Sequence, residues 1–282
     1  MPVQNAAPTL TILGGGKVGK SLGRLWNMHG IFTIQDVLSR SMDHARQAVT
    51  FIGAGRAVTA ISELRPADIV LVSTPDDRIR AWARELAESG LLSGRSIVFH
   101  CSGSLPSGAL EAATLAGAAV ASIHPVRSFA DPEQVVRSFA QTWCGAEGDR
   151  RALDMLEPAF TALGGRIVPI DASNKLLYHS AAVFASNYLV TLLDVALQAY
   201  GKAGIPPDAA RDMLEPLVRK TVDNVFLHGP EQALSGPIAR GDRATVARQY
   251  RAVKAWDPRF GALYRHLGRA TFLLARRKRG HS

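Results

Sequence analysis

A short apolar run, Leu10-Thr-Ile-Leu13, passes directly into Gly14-Gly15-Gly16-Lys17-Val18-Gly19 and then into a helical pattern. A strand followed at once by G-x-G-x-x-G and a helix needs its first glycine for a tight turn, its second for close backbone approach and its third for helix–strand packing. Gly14, Gly16 and Gly19 stand in those places. The amides of Lys17 and Val18 then point outward from a helix N-terminus, where an anion is favoured. In this setting the glycines predict a cradle for the pyrophosphate of a dinucleotide rather than a structural turn.

The rest of the first half fits that start. Apolar runs at Leu10 to Leu13, Thr33 to Leu38, Ile69 to Ser73, Ser96 to Cys101, Ala118 to Ile123 and Gly165 to Pro169 alternate with helical patterns such as Arg78 to Ser89. That alternation predicts an α/β domain with a doubly wound, mainly parallel sheet over residues 1–170. After Asp171 the strand signals stop and helical patterns run to residue 275, predicting an all-α domain over 171–282 that ends in a basic tail, Arg276-Arg277-Lys278-Arg279.

The second strand selects the dinucleotide. It ends Leu38-Ser39-Arg40-Ser41, with no carboxylate at the tip to bind the ribose hydroxyls of NAD. Arg40 can pair with a 2′-phosphate, and Ser39 and Ser41 can donate to it, so the expected cofactor is NADP. Asp36 lies inside the strand and would reverse this choice if the strand ended earlier. At the next central strand end, Ser73, Thr74 and Pro75 are placed along the nicotinamide-ribose path, and Asp76-Asp77 are expected to cap the helix that follows.

Composition narrows the alternatives. With 47% apolar and 20% charged residues in 282, the chain can bury a core without disulfides or a structural metal. Two separated cysteines, Cys101 and Cys144, give neither a disulfide framework nor a metal spacing, and with no secretory signal they imply a reducing, cytoplasmic setting. Charge is uneven: residues 1–170 hold 16 basic and 15 acidic side chains, residues 171–282 hold 17 and 9. A short basic tail is ordinarily solvated, so no nucleic-acid partner is expected, while basic clefts remain suited to small anions. The apolar stretch Leu176 to Tyr200 carries His179, Ser180, Asn187, Asp194 and Gln198, which reads as a buried helix and not a membrane span.

Two strand ends carry polar clusters, His100-Cys101-Ser102-Gly103-Ser104 and His124-Pro125-Val126-Arg127-Ser128. Each histidine is either a ligand contact or a hydrogen-bonded structural residue. Ser102, Gly103, His124 and Arg127 are candidate substrate contacts, Arg127 as a carboxylate or phosphate clamp. On the helix that opens the second half, His179 lies roughly 40° and Ser186 roughly 20° from Lys175 around the helix axis, so the three share a stripe. Lys175 and His179 form a candidate proton-transfer pair, because burial lowers an ammonium pKa toward working pH; a snorkelling lysine beside a core histidine is the competing explanation. Asn187, about 120° round from Lys175, is a further candidate contact.

A dinucleotide fold followed by a helical domain that begins Lys175-x-x-x-His179 resembles the 6-phosphogluconate and β-hydroxyacid dehydrogenase superfamily. The resemblance implies that Lys175 is the general acid/base, with His179 standing where that superfamily has Asn. The Ser-Gly-Gly substrate loop is not reproduced, whereas Ser39-Arg40-Ser41 is similar to the Asn-Arg-Thr of NADP-using members. More specifically, His100 to Ser104, His124 to Phe129, Tyr178 to Asn187 and Gly236 to Asp242 resemble motifs of Rossmann-like oxidoreductases with a C-terminal helical domain of unknown function. The last motif adds Arg240 as a candidate substrate contact, although a Gly-Pro turn before a capped helix explains it equally well.

These readings converge on an NADP-dependent oxidoreductase moving a hydride between nicotinamide and a small anionic carbonyl, alcohol or imine, with no metal required. A non-catalytic NADP-binding sensor or scaffold is the alternative. The apolar helical surface of Leu176 to Tyr200 and Val222 to Leu227 predicts a homodimer.

Overall fold

The computed structural model describes residues 6–280. The chain divides into two compact units, one ending at Phe184 and the other running from Ala185. The sequence placed this division near residue 170. The helix bearing Lys175 falls in the first unit, and that lysine is bonded to Glu147 of the sheet.

The first unit is an eight-stranded sheet in the order β3-β2-β1-β4-β5-β6-β7-β8. Its strands are β1 (Thr9–Leu13), β2 (Thr33–Leu38), β3 (Arg56–Val58), β4 (Ile69–Val72), β5 (Ile97–His100), β6 (Ala119–Pro125), β7 (Trp143–Gly148) and β8 (Arg166–Pro169). Every neighbouring pair is parallel except β6 and β7. The flanking helices are α1 (Lys17–Met28), α2 (Met42–Ile52), α3 (Asp76–Glu88), α4 (Glu111–Leu115), α5 (Pro132–Arg137), α6 (Arg150–Thr161) and α7 (Lys175–Ala185). This is the expected α/β fold, of Rossmann-like form. The chain leaves β1 for β2 on one side and later returns to β4 on the other, and such a switch point opens the ligand crevice of these sheets.

Strand alternation builds a core on each face. Leu10 and Ile12 pack with Trp26, Phe99, Ala121 and Phe160 on one side, while Leu13, Val70, Val72 and Val98 pack against α3 on the other. Trp26 is fully buried, meets Phe32, Phe99 and Phe160 edge-on, and donates its indole N–H to the Ala159 carbonyl at 3.2 Å. It thereby joins α1 to α6 with its polar atom satisfied.

The second unit is helical: α8 (Asn187–Lys202), α9 (Pro207–Ala233), α10 (Gly236–Arg240), α11 (Arg243–Trp256) and α12 (Pro258–Gly280). The stretch read as one buried helix is α7 and α8, separated at Ser186, and much of it is exposed: Leu177 keeps 74% and Val190 67% of their accessible surface. Ala172–Lys202 is the one stretch among the described residues long and apolar enough to cross a membrane by length and composition. The basic tail also differs from expectation. It continues α12, where Arg277 pairs with Glu231 at 3.2 Å and Lys278 donates to the Leu234 carbonyl at 3.1 Å.

Candidate active site

The glycine loop leaves β1 with Gly14 at φ +108°, and a Cβ there would lie 2.7 Å from the Ser73 carbonyl oxygen at the end of β4. A Cβ on Gly19 would lie 2.3 Å from the Gly14 carbonyl oxygen, so α1 can seat on the strand only with glycine. Gly16 is the opposite case. It caps α1 without any side-chain hydrogen bond, and a Cβ on it would meet nothing within 4 Å. The first amides of α1, including those of Lys17 and Val18, therefore face an open space suited to an anion. Thr74 adds a buried hydroxyl with no hydrogen-bond partner among the described residues. This loop fits a dinucleotide pyrophosphate. Ser73 is committed elsewhere: its hydroxyl donates to the Gly14 carbonyl at 2.7 Å and so braces the loop, while Pro75 caps α3.

Strand β2 ends at Leu38, and Asp36 is fully buried, held by Arg56 at 3.0 Å and Arg65 at 2.7 Å. Burial opposes its ionisation, but the hydrogen bonds from Arg65 and Arg56 prevail and hold the carboxyl below the usual range. That carboxylate is unavailable to a ribose. Arg40, by contrast, is exposed and makes no hydrogen bond or ion pair with the described residues. Ser39 accepts the Gly15 amide at 3.0 Å and Ser41 caps α2 by accepting the His44 amide, and both hydroxyls keep their proton for donation.

Further along the same sheet edge, alternation places His100 of β5, Ser122 and His124 of β6, and Gly145 and Glu147 of β7 on one face. In the antiparallel register Glu147 lies opposite Ser122 and Gly145 opposite His124. Helix α7 adds Lys175, Tyr178 and His179. Lys175 is 1% exposed, and its ammonium donates to Glu147 Oε1 at 2.9 Å and to Ser122 Oγ. Burial pulls its pKa down, opposed by the hydrogen bond and charge of Glu147. Glu147 is fixed in turn by the Ser107 amide at 2.8 Å and hydroxyl at 2.6 Å. The ammonium of Lys175 is thus enclosed in a buried ion pair. His100 is fully buried, donates to the Pro106 carbonyl (3.2 Å) and accepts the Ser102 amide (3.1 Å). Burial, then Lys175, lowers its pKa to about 4, so this histidine is a neutral structural residue.

The two remaining imidazoles converge. His124 and His179 meet edge-on with centroids 5.5 Å apart, and Tyr178 bonds His124 Nδ1 at 3.1 Å. Burial, then the charges of His179 and Lys175, lower the His124 pKa to about 4. A Cβ on Gly103 would lie 2.2 Å from His179 Nδ1 and 2.8 Å from His124 Nε2, so glycine is required behind both rings. A Cβ on Gly145 would lie 2.5 Å from the Tyr178 hydroxyl, which makes that glycine the seat of the tyrosine. His179 Nδ1 is buried against Gly103 without a hydrogen-bond partner among the described residues, a costly state.

Two candidate substrate contacts make hydrogen bonds within the protein. Ser102 is buried, donates to Asp76 at 2.7 Å and accepts the Ser104 and Leu105 amides at 3.2 and 3.0 Å. Arg127 donates to the Ser138 carbonyl at 2.8 Å and hydroxyl at 3.0 Å and stacks over Phe139, while its buried Nε has no hydrogen-bond partner among the described residues. Asp76, expected as a cap, instead gathers the Ser102 and Ser104 hydroxyls, each at 2.7 Å, and ties the end of β4 to the loop after β5. Asn187 and Arg240 belong to the second unit and are exposed there. Sequence reasoning missed Glu147 and Ser122, and gave Asp76 a different role. The signal for the first two was the unrecognised strand β7, which sets Glu147 opposite Ser122.

The sheet order, the glycine loop at its switch point and the polar strand ends define a Rossmann-like protein. The comparisons agree: residues 2–125 match a Rossmann-like domain, and residues 142–271 match a domain of unknown function (DUF2520). The chain thus pairs a Rossmann-like domain with a DUF2520 domain. No curated protein matches it. Among solved structures, a candidate NADP oxidoreductase of Bacteroides fragilis, BF3122, is 22% identical, with a TM-score of 0.78 over 95% of this chain and 98% of that one. Protein TM1727 of Thermotoga maritima is 27% identical, with a TM-score of 0.73 over 96% and 99%. An imine reductase from Myxococcus stipitatus in complex with NADP+ is 17% identical, with a TM-score of 0.65 over 98% and 95%.

Proposed function

We propose that this protein is an NADP-dependent oxidoreductase acting on a small anionic carbonyl, alcohol or imine. The observation that carries the reading is one continuous sheet edge. At its switch point lies the open, uncapped glycine loop, and farther along it lie two converging imidazoles, one with an unpartnered buried nitrogen. Names of structural neighbours support the class, since they include an NADP oxidoreductase candidate and an imine reductase crystallised with NADP+. The absence of a carboxylate at the end of β2 and the exposed Arg40 support NADP over NAD.

The pyrophosphate would rest on Gly16, Lys17 and Val18, and the 2′-phosphate on Ser39, Arg40 and Ser41. When bound, the nicotinamide supplies or accepts the hydride. His179 holds or moves the proton at Nδ1, next to the substrate oxygen or nitrogen. His124, neutral and held by Tyr178, presents Nε2 beside it. Lys175 and Glu147 act behind these groups: the buried pair fixes Ser122 and keeps a positive charge near His100 and His124, which favours their neutral form. In this role Lys175 positions the site without touching substrate. The same reading includes a homodimer, supported by exposed apolar side chains on the C-terminal helices.

The test is NADPH oxidation with a panel of small oxoacids and cyclic imines, comparing the native chain with His179→Asn. Turnover should fall at least a hundredfold while NADPH binding persists. Undiminished turnover by the variant would remove His179 from the chemistry, and NADPH binding without turnover on any member of the panel would favour the sensor alternative.

A further inference from the structure

In the second unit, α10, α11 and α12 enclose a groove of about 1100 Å³ that the proposed reaction does not use. The α11–α12 hairpin is tight at its turn, where a Cβ on Gly261 would lie 2.8 Å from Lys254, and the groove lies beyond that point. Its composition follows from helical spacing. At about 100° per residue, Arg265, Arg269, Phe272 and Arg276 of α12 fall within roughly 60° of one another. From α11, Arg243, Val246 and Tyr250 recur at the same three-to-four-residue interval. Both stripes line the groove.

The four arginines, Arg243, Arg265, Arg269 and Arg276, are exposed, and their guanidinium groups make no hydrogen bond or ion pair with the described residues. Asp242 is the one carboxylate on the lining, and it is engaged as the cap of α11, accepting the Thr245 amide at 3.0 Å. Guanidinium groups left unpaired around an apolar floor are complementary to an anionic head on an apolar body. A groove of this size takes a small organic molecule. The groove's lining is drawn from α10 to α12, whereas the apolar side chains assigned to a second copy lie on α7 to α9.

We propose that this groove binds a soluble organic anion with an elongated apolar body, its carboxylate or phosphate held by Arg265 and Arg269 and its chain lying along Val246 and Phe272. Its residues belong to the second unit, and the glycine loop belongs to the first.

The test is titration calorimetry of the full chain with monomeric decanoate, decyl phosphate and the neutral decanol, repeated on R265Q/R269Q and on F272S. The two anions should bind the native protein at least tenfold more tightly than decanol. Both variants should weaken anion binding at least tenfold, while NADPH affinity and the melting curve stay unchanged. The relative strength of decanoate and decyl phosphate identifies the preferred head. Equal affinity for decanol, or anion binding untouched by R265Q/R269Q, would overturn the proposal. So would binding to anionic phosphatidylserine vesicles without binding of either monomeric anion, or a change in sedimentation of R265Q/R269Q with decanoate affinity intact, which would assign the groove to a membrane or to a second copy.

Discussion

At the level of single residues, Lys175 shows how much of a buried side chain's setting the spacing along a helix can give. Its position on the His179 stripe, and its burial, are both visible in the spacing of α7. Its partner is not, because Glu147 sits on a strand whose sequence, Trp-Cys-Gly-Ala-Glu-Gly, has two glycines and no alternating β-branched residues. Removing one member of a buried ion pair strands the other, so Glu147→Gln should cost about 3–5 kcal/mol in denaturant unfolding. The double variant Glu147→Gln with Lys175→Met should recover part of that loss, and additive losses would show that the two do not couple. His100 makes a pH prediction. Its folded pKa of about 4 lies below the ordinary 6.5. Between those values the unfolded chain takes up a proton that the fold refuses. Stability is therefore complete above pH 6.5 and falls as pH drops toward 4, by up to about 3 kcal/mol for this residue. Unfolding free energies at pH 7 and pH 4.5 should differ less in His100→Asn than in the native chain.

Among the structural elements, the glycine loop separates folding from binding within four residues. Gly19→Ala drives a methyl into the Gly14 carbonyl and the Ser73 hydroxyl, both 2.3 Å away, and should lower stability by about 1–3 kcal/mol. Gly16→Ala meets open space, so stability should hold within about 1 kcal/mol while NADPH affinity drops at least tenfold. Equal effects of the two substitutions on melting and on NADPH binding would contradict the division of labour. Six of the eight strands were legible because their apolar runs sit between turn signals and helical patterns. Strand β3 has three residues and too little pattern to register, and β7 also reverses direction, which no local signal announces. Helices α7 and α8 were legible as helices, but their apolar surface was assigned to a core. Periodicity reports which side chains are apolar, not whether a neighbour covers them.

For the chain as a unit, that uncovered surface carries its own prediction. Leu176, Leu177, Val190, Phe226 and Leu227 each keep 67% or more of their accessible surface, more than isolated exposed leucines would explain. Sedimentation equilibrium should give about twice the 30.2 kDa chain mass, and a monomer at micromolar concentration would contradict the homodimer. The proposed selection of NADP rests on an Asp36 locked by two arginines and an Arg40 left without a partner among the described residues. Parallel titration of the native chain with NADPH and NADH tests it most directly. NADPH should bind saturably and at least tenfold more tightly than NADH, with the preference lost in Arg40→Ala. Binding of neither dinucleotide, or a preference for NADH, would contradict it.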